Sequence, residues 1–159
     1  MFARLALESD VHVYVELARM AVDESARHVG FSGAKVRATF RRYLGKAHPT
    51  IFVVEDRRQV IAFLNASISE YDFADGIYTT QEVLYVRPDR RGTRAAALLL
   101  REFTRWSDQL GALENTGGND NALHSEQTSK FLSRFGFERV GFFMRRIRGA
   151  EGGQKGRIR

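Results

Sequence analysis

The chain has 159 residues, with 25 Lys or Arg against 19 Asp or Glu, no Cys and 2 Pro. At 43% hydrophobic and 11% aromatic it can bury the core of one domain, which excludes wholesale disorder. No apolar run approaches the roughly 20 residues of a bilayer span, no secretory signal opens the chain, and the lack of Cys excludes disulfides, thiolate metal sites and a cysteine nucleophile; a cytoplasmic protein with no membrane association is expected.

The opening, 2 to 7, alternates as a short strand. Ser9 and Asp10 are N-cap types, and from Val11 to Arg27 the apolar positions Val13, Leu17, Met20, Ala21 and Val22 recur at helical spacing. Gly30 and Gly33 punctuate before a second helix with Val36, Phe40, Tyr43 and Leu44 on one face and Lys35, Arg37, Arg41 and Arg42 on the other, stopped at His48-Pro49. TIFVVE (50–55) and QVIAFLNASIS (59–69) form a hairpin about Asp56-Arg57-Arg58. Tyr71 to Tyr78 is an aromatic and acidic loop, and TQEVLYV (80–86) a further strand. After an Arg-rich turn, 93 to 110 is a strongly apolar helix ended by Gly111. A short strand at 112–115, a polar stretch, a helix at about 125–135 and a last strand or pair of strands at 138–147, broken at Gly141, follow. Helices and strands alternate around one sheet, so the fold class is α/β or α+β with a mixed sheet, in a single domain 1–147. The Gly-rich tail 148–159 (RGAEGGQKGRIR) is polar and expected to be flexible.

The net charge is +6, and Arg outnumbers Lys 21 to 4. Such a balance suits nucleic acid, an anionic membrane or a phosphate-bearing small molecule, while codon usage in a GC-rich genome would also enrich Arg. Its location is more informative than its sum. The tail holds Arg148, Lys155, Arg157 and Arg159 against Glu151, and Arg87, Arg90, Arg91 and Arg94 crowd one turn. That turn joins strand QEVLYV to helix TRAAALLL through RPDRRG. A strand feeding a helix in this way aims several backbone N–H groups and the positive end of the helix dipole at one spot, an anion cradle. Gly92, Ala95 and Ala96 are small enough to let phosphate approach the backbone, and the Arg side chains add charge-assisted donors.

This run resembles the phosphate-binding segment V-x-P-x-x-R-G-x-G-x-G/A of the GNAT superfamily of acyl-CoA-dependent N-acetyltransferases. Val86, Pro88, Arg91, Gly92 and Ala96 stand at the matching places, and Arg94 replaces the middle glycine, so its side chain must point away from the pyrophosphate or clamp it. FLSRFGF (131–137) is similar to the family's F-Y-x-x-x-G-F segment, and the element order agrees from Met1 to Ile147. The resemblance implies a central mixed sheet of six to seven strands flanked by about four helices, with acetyl-CoA as acyl donor. It implies that Leu84, Tyr85 and Val86 pair through their backbone with the pantetheine arm. The N–H groups of Arg91, Gly92, Thr93, Arg94, Ala95 and Ala96 would hold the pyrophosphate, and Ser125 stands where the family often has a CoA-contacting Asn. Ser125 also reads as a plain helix N-cap, and Arg90 as either a ligand contact or a surface charge.

Acyl transfer to an amine needs a base, an oxyanion donor and an acid for the thiolate. Glu82 occupies the place of a family base, and strand alternation predicts it on the same face as Leu84 and Val86. It also reads as a strand-end Glu reaching solvent or an Arg. The oxyanion donor is expected to be a fourth-strand N–H such as that of Val86. The family's Tyr acid is replaced by Leu132, and Tyr85 lies on the neighbouring face, which leaves solvent or His124 to protonate the thiol; His124 also reads as a substrate contact or as a plain surface residue. Tyr71, Phe73 and Tyr78, with Asp72 and Asp75, are candidate acceptor walls, or a surface loop with half-buried aromatics. The stretch 117–121 with His124 and Glu126 matches no metal-ligand spacing, so no metal is expected.

The expected function is therefore N-acetylation of a primary amine, on a small molecule or peptide, by direct attack in a ternary complex. The resemblance leaves open a GNAT-fold enzyme modifying nucleic acid, of the phage Mom type, and a CoA-binding module without turnover. It also carries the expectation of a homodimer.

Overall fold

The structure, a computed structural model, describes residues 1–45, 50–119 and 123–145. The tail expected at 148–159 and the His48-Pro49 stop lie outside the described residues. In chain order the elements are β1 (Phe2–Leu5), α1 (Val11–Ser25), α2 (Gly33–Leu44), β2 (Ile51–Asp56), β3 (Gln59–Glu70), β4 (Ile77–Val86), α3 (Ala95–Leu110), β5 (Glu114–Thr116) and α4 (Ser125–Ser133). They build one mixed sheet in the order β1-β2-β3-β4-β5. The first four strands pair antiparallel and β5 runs parallel to β4. A parallel neighbour requires a crossover, which α3 supplies.

Both faces of the sheet are covered. Phe52, Val54, Ile61 and Leu64 pack on Leu99, Leu100 and Phe103 of α3. On the opposite face Ile51, Val53 and Phe63 meet Tyr14, Leu17 and Phe40 of α1 and α2. Because β2 is buried on both sides, its sequence IFVV is continuously apolar rather than alternating. The β2–β3 turn carries Arg57 at φ 49° and Arg58 at φ 64°, the left-handed pair that a tight hairpin between right-twisted strands requires.

Three expectations need correction. The segment 138–145 forms no strand, so the sheet has five strands among the described residues rather than six or seven. Its apolar side chains find no neighbour: Val140 is 97% exposed, Phe142 91% and Met144 87%. Hydrophobic spacing alone, without a partner edge, does not make a ladder. Secondly, β4 begins at Ile77, so Tyr78 belongs to a strand opposite Ser69 and Glu114, not to a loop. Thirdly, the residue capping α4 is His124, at φ 54°, and Ser125 is already helical.

A polar lock ties the first strand to α1. Asp10, 6% exposed, accepts from the Leu7 N–H at 2.8 Å and from both terminal nitrogens of Arg4, at 2.7 and 3.0 Å. The Arg4 Nε donates to Glu55 at 3.0 Å. Burial opposes the charge on Asp10, but the Arg4 and Leu7 donors outweigh it and hold its carboxyl below the usual value. A depressed folded-state pKa means stability that is present above the unfolded value and lost as pH falls through the folded one. Asp10→Asn is therefore expected to destabilise the protein at pH 7 by about 1–3 kcal/mol. In denaturant titrations the gap between wild type and variant should shrink as pH drops below about 4.

Candidate active site

The site begins with a parting of strands. Thr79 Oγ1 and Ser107 Oγ of α3 lie 2.7 Å apart, and Thr79 donates to Asn115 at 3.2 Å, which fixes β5 against the start of β4. Pairing covers only Tyr78–Thr80. Just past β5, a Cβ on Gly117 would sit 3.1 Å from Gln81 Oε1 and 3.3 Å from Gln81 Cβ. The buried Gln81 side chain thus fills the space where the ladder would continue, and among the described residues no strand lies beside the β5-side edge of β4 from Gln81 to Val86. N–H groups alternate along a strand. The Arg87 N–H donates to Ile61 on β3, so the N–H groups of Leu84 and Val86 face the open edge. This is the orientation expected of the pantetheine-pairing strand and of the oxyanion donor.

The parting opens a cavity of about 550 Å³, walled by β4, the turn 90–93, the end of α1 and the start of α4. Leu84 and Val86 point to the α3 face and Tyr85 to the α1–α2 face. Glu82 does not share the face of Leu84 and Val86 as alternation predicts. Asn65 pairs Val83 and Ala66 pairs Gln81, so Glu82 is one residue extra, a β-bulge that reverses the phase of the strand. Its exposed carboxylate accepts from Tyr43 Oη of α2 at 3.2 Å, beside the cavity wall. Burial and the nearby Glu82 charge push the Tyr43 phenol above its ordinary pKa, so it stays a neutral donor. Tyr14, deeper in the same layer, is pushed up to about 12, chiefly by burial.

At the turn, Pro88–Arg90 form a single 3-10 turn, and Gly92 at φ 78° takes a conformation that favours glycine. The first bond inside α3 runs from the Leu98 N–H to Arg94 C=O, which leaves the N–H groups of Ala96 and Ala97 without an intrahelical acceptor. The Ala95 N–H is held by Thr93 Oγ1 at 3.3 Å, and the Ala95 methyl is buried in the core. The four Arg side chains diverge. Arg87 grips Asp89, Arg90 reaches Asp56 at 3.1 Å, and Arg94 turns away to the Met1 carbonyl at 3.2 Å. Arg91 crosses to Glu24 of α1, at 2.8 and 2.5 Å. Only Arg90 and Arg91 of the four line the cavity.

The other candidates divide. His124 and Leu132 line the cavity, and Leu132, buried at 7% exposure, places a hydrocarbon where a phenol would donate. Ser125 does not line it; its Oγ donates to Asn119 Oδ1 at 3.1 Å. Tyr71, Phe73 and Tyr78 stand at the opposite end of β4, outside the cavity, with the rings of Tyr71 and Tyr78 5.1 Å apart and Phe73 99% exposed. Sequence reasoning missed Glu24, Tyr43 and Gln81. Glu24 had a signal: a carboxylate in the last turn of a helix opposes the helix dipole and asks for a cation. Tyr43 and Gln81 had none, because both depend on where the bulge and β5 fall.

A mixed sheet thus opens beside a helix N-terminus, over a cavity with carboxylates on one side. The model of the family described as "Acetyltransferase (GNAT) domain" matches residues 47–139, and the chain belongs to that family of N-acetyltransferases. An aminoglycoside N(6')-acetyltransferase type 1 from Acinetobacter genomosp. 13 is 31% identical over 104 residues, covering 61% of this chain and 69% of that protein. Among solved structures, the apo aminoglycoside 6'-N-acetyltransferase AAC(6')-IG from Acinetobacter haemolyticus shares the fold with a TM-score of 0.66 and 24% identity, over 92% of this chain and 99% of that one. The aminoglycoside N-acetyltransferase AAC(6')-Iy, solved in complex with CoA, does so with a TM-score of 0.69 and 20% identity, over 91% and 94%. Among the described residues no helix is long and apolar enough to cross a membrane.

Proposed function

We propose that the protein acetylates a primary amine of a small, multiply charged acceptor of the aminoglycoside kind, with acetyl-CoA as donor. The observation that carries this reading is the open edge of β4 running directly into the N-terminus of α3 within one cavity. The residues fit the donor. Outward N–H groups at Leu84 and Val86 suit an amide-bearing arm, and the Gly92–Ala97 turn, with Arg90 and Arg91, suits a diphosphate. Acetyl-CoA supplies an activated thioester, and this chain's own groups supply position and charge. Glu82 takes a proton from the acceptor's ammonium, directly or through water; the neutral amine then attacks the thioester carbonyl, the C–S bond breaks, and CoA leaves as a thiolate that takes its proton from solvent. The Tyr43 hydroxyl steadies the Glu82 carboxylate, and the Val86 N–H faces the place where the oxyanion forms. The acceptor side presents Glu24 and Glu82, which favours a cationic amine.

A thiol-release assay with acetyl-CoA tests this across kanamycin, spermidine, a lysine peptide and duplex DNA. Turnover is expected with kanamycin. Turnover with DNA alone would move the protein to the nucleic-acid class, and CoA binding without turnover on any amine would make it a binding module.

A further inference from the structure

Each of the three guanidinium nitrogens of Arg91 already donates a hydrogen bond within the chain. Its two terminal nitrogens clasp both oxygens of Glu24, at 2.8 and 2.5 Å. Its Nε donates to the Val86 carbonyl at 3.2 Å, and its guanidinium lies 5.5 Å from the centre of the Tyr85 ring. Tyr85 Oη donates to Glu24 Oε2 at 3.4 Å, so one aromatic residue supports both ends of the pair. The pair therefore links the end of α1 to the turn 90–93 and occupies a carbonyl on the very edge left open for a cofactor arm. Yet the side chains remain 43% and 33% exposed, so the link is accessible to exchange. Glu24 also sits in the last turn of α1, where the helix dipole disfavours an anion. The Arg91 guanidinium offsets this and holds the Glu24 carboxyl below its ordinary range. Tyr85, through its hydroxyl, and His124, across the cavity, act on it in the same direction.

We propose that Glu24 is an exchange residue that clasps Arg91 in the empty site, yields it to the diphosphate of CoA, and then accepts an ammonium group of the cationic acceptor. A bidentate guanidinium can serve a carboxylate or a diphosphate oxygen pair with the same geometry, so the hand-over costs no reorganisation of the fork. Once released, Glu24 is an uncompensated anion at a helix C-terminus, on the wall of the cavity. That makes the site more attractive to a cation only after CoA is bound. By linkage the effect is reciprocal: acceptor binding must tighten CoA by the same factor. Glu82 receives the reacting amine and Glu24 a second, non-reacting ammonium, which would select acceptors with more than one positive group. This inference rests on the proposed acetyl-CoA and amine reading.

The test uses the full chain, with CoA and kanamycin as probes, in calorimetric titrations. Glu24→Gln is expected to tighten CoA binding roughly two- to five-fold, the scale of an exposed ion pair removed from the competition. Arg91→Ala should weaken CoA, and adding Glu24→Gln to Arg91→Ala should change nothing further, because Glu24 acts on CoA through Arg91. In the wild type, CoA should strengthen kanamycin binding; in Glu24→Gln that strengthening should vanish. An unchanged or weaker CoA affinity in Glu24→Gln overturns the exchange, and equal coupling in both proteins overturns the acceptor role. Failure of the wild type to bind CoA at all would instead remove the proposed function on which the inference stands.

Discussion

Replacing Glu82 by Gln is expected to lower kcat by about a hundredfold, the lower end of what a positioned base contributes. The affinity for CoA should stay within about two-fold, since in the proposed reading Glu82 serves the acceptor, and its carboxylate accepts from Tyr43 of α2. Gln keeps the shape and can still accept the Tyr43 hydroxyl hydrogen bond, so the change removes the proton acceptor and little else. Steady-state kinetics with the best amine from the panel, set beside calorimetric CoA titration, separates the two quantities. Unchanged kcat would leave deprotonation to solvent and reduce Glu82 to an electrostatic contact.

The second large effect concerns stability. Phe103 is fully buried between α3 and the sheet, with its ring 6.2 Å from that of Trp106, which in turn lies edge-on to Phe52 of β2 at 5.7 Å. Phe103→Ala should cost about 3–5 kcal/mol, from lost transfer energy and the cavity left between layers. At this chain length that corresponds to a fall in Tm of roughly 10 °C, measurable by thermal unfolding. The site should suffer as well, because the same layer carries α3, whose N-terminus borders the cavity. A Phe103→Leu variant, which retains much of the volume, should recover most of the loss.

The hydrophobic pattern and turn chemistry carried much of the fold. The IFVV run, the Asp56-Arg57-Arg58 turn, the apolar stripe of α3 and Gly111 at its end all led to the elements that form. The turn before α3 was legible for a physical reason: its conformation is set by Gly92 and by small residues at fixed offsets. The acceptor side was not legible in the same way. Glu82 was placed on the wrong face because alternation holds only in an unbroken ladder, and the bulge shows in the register of β3 against β4, not in the residues of β4. Nor could composition say that Arg94 turns to Met1 while Arg91 turns to Glu24, because such choices depend on partners far away in the chain. The aromatic stretch 71–78 drew attention by its chemistry, but it sits at the end of β4 remote from the open edge. The apolar run 138–145 has the spacing of a strand, yet its described residues pair with no edge of the sheet.

The bulge also sets position 82 apart from the rest of β4. Glu82 is the one residue between Gln81 and Val83 that no β3 residue opposes. Side chains elsewhere on β4 answer to a cross-strand neighbour, and changing them disturbs a pair. Glu82 answers to none, so its identity is decoupled from the integrity of the ladder. A change at position 82 therefore acts on the chemistry at the cavity wall, while the sheet around it keeps its register.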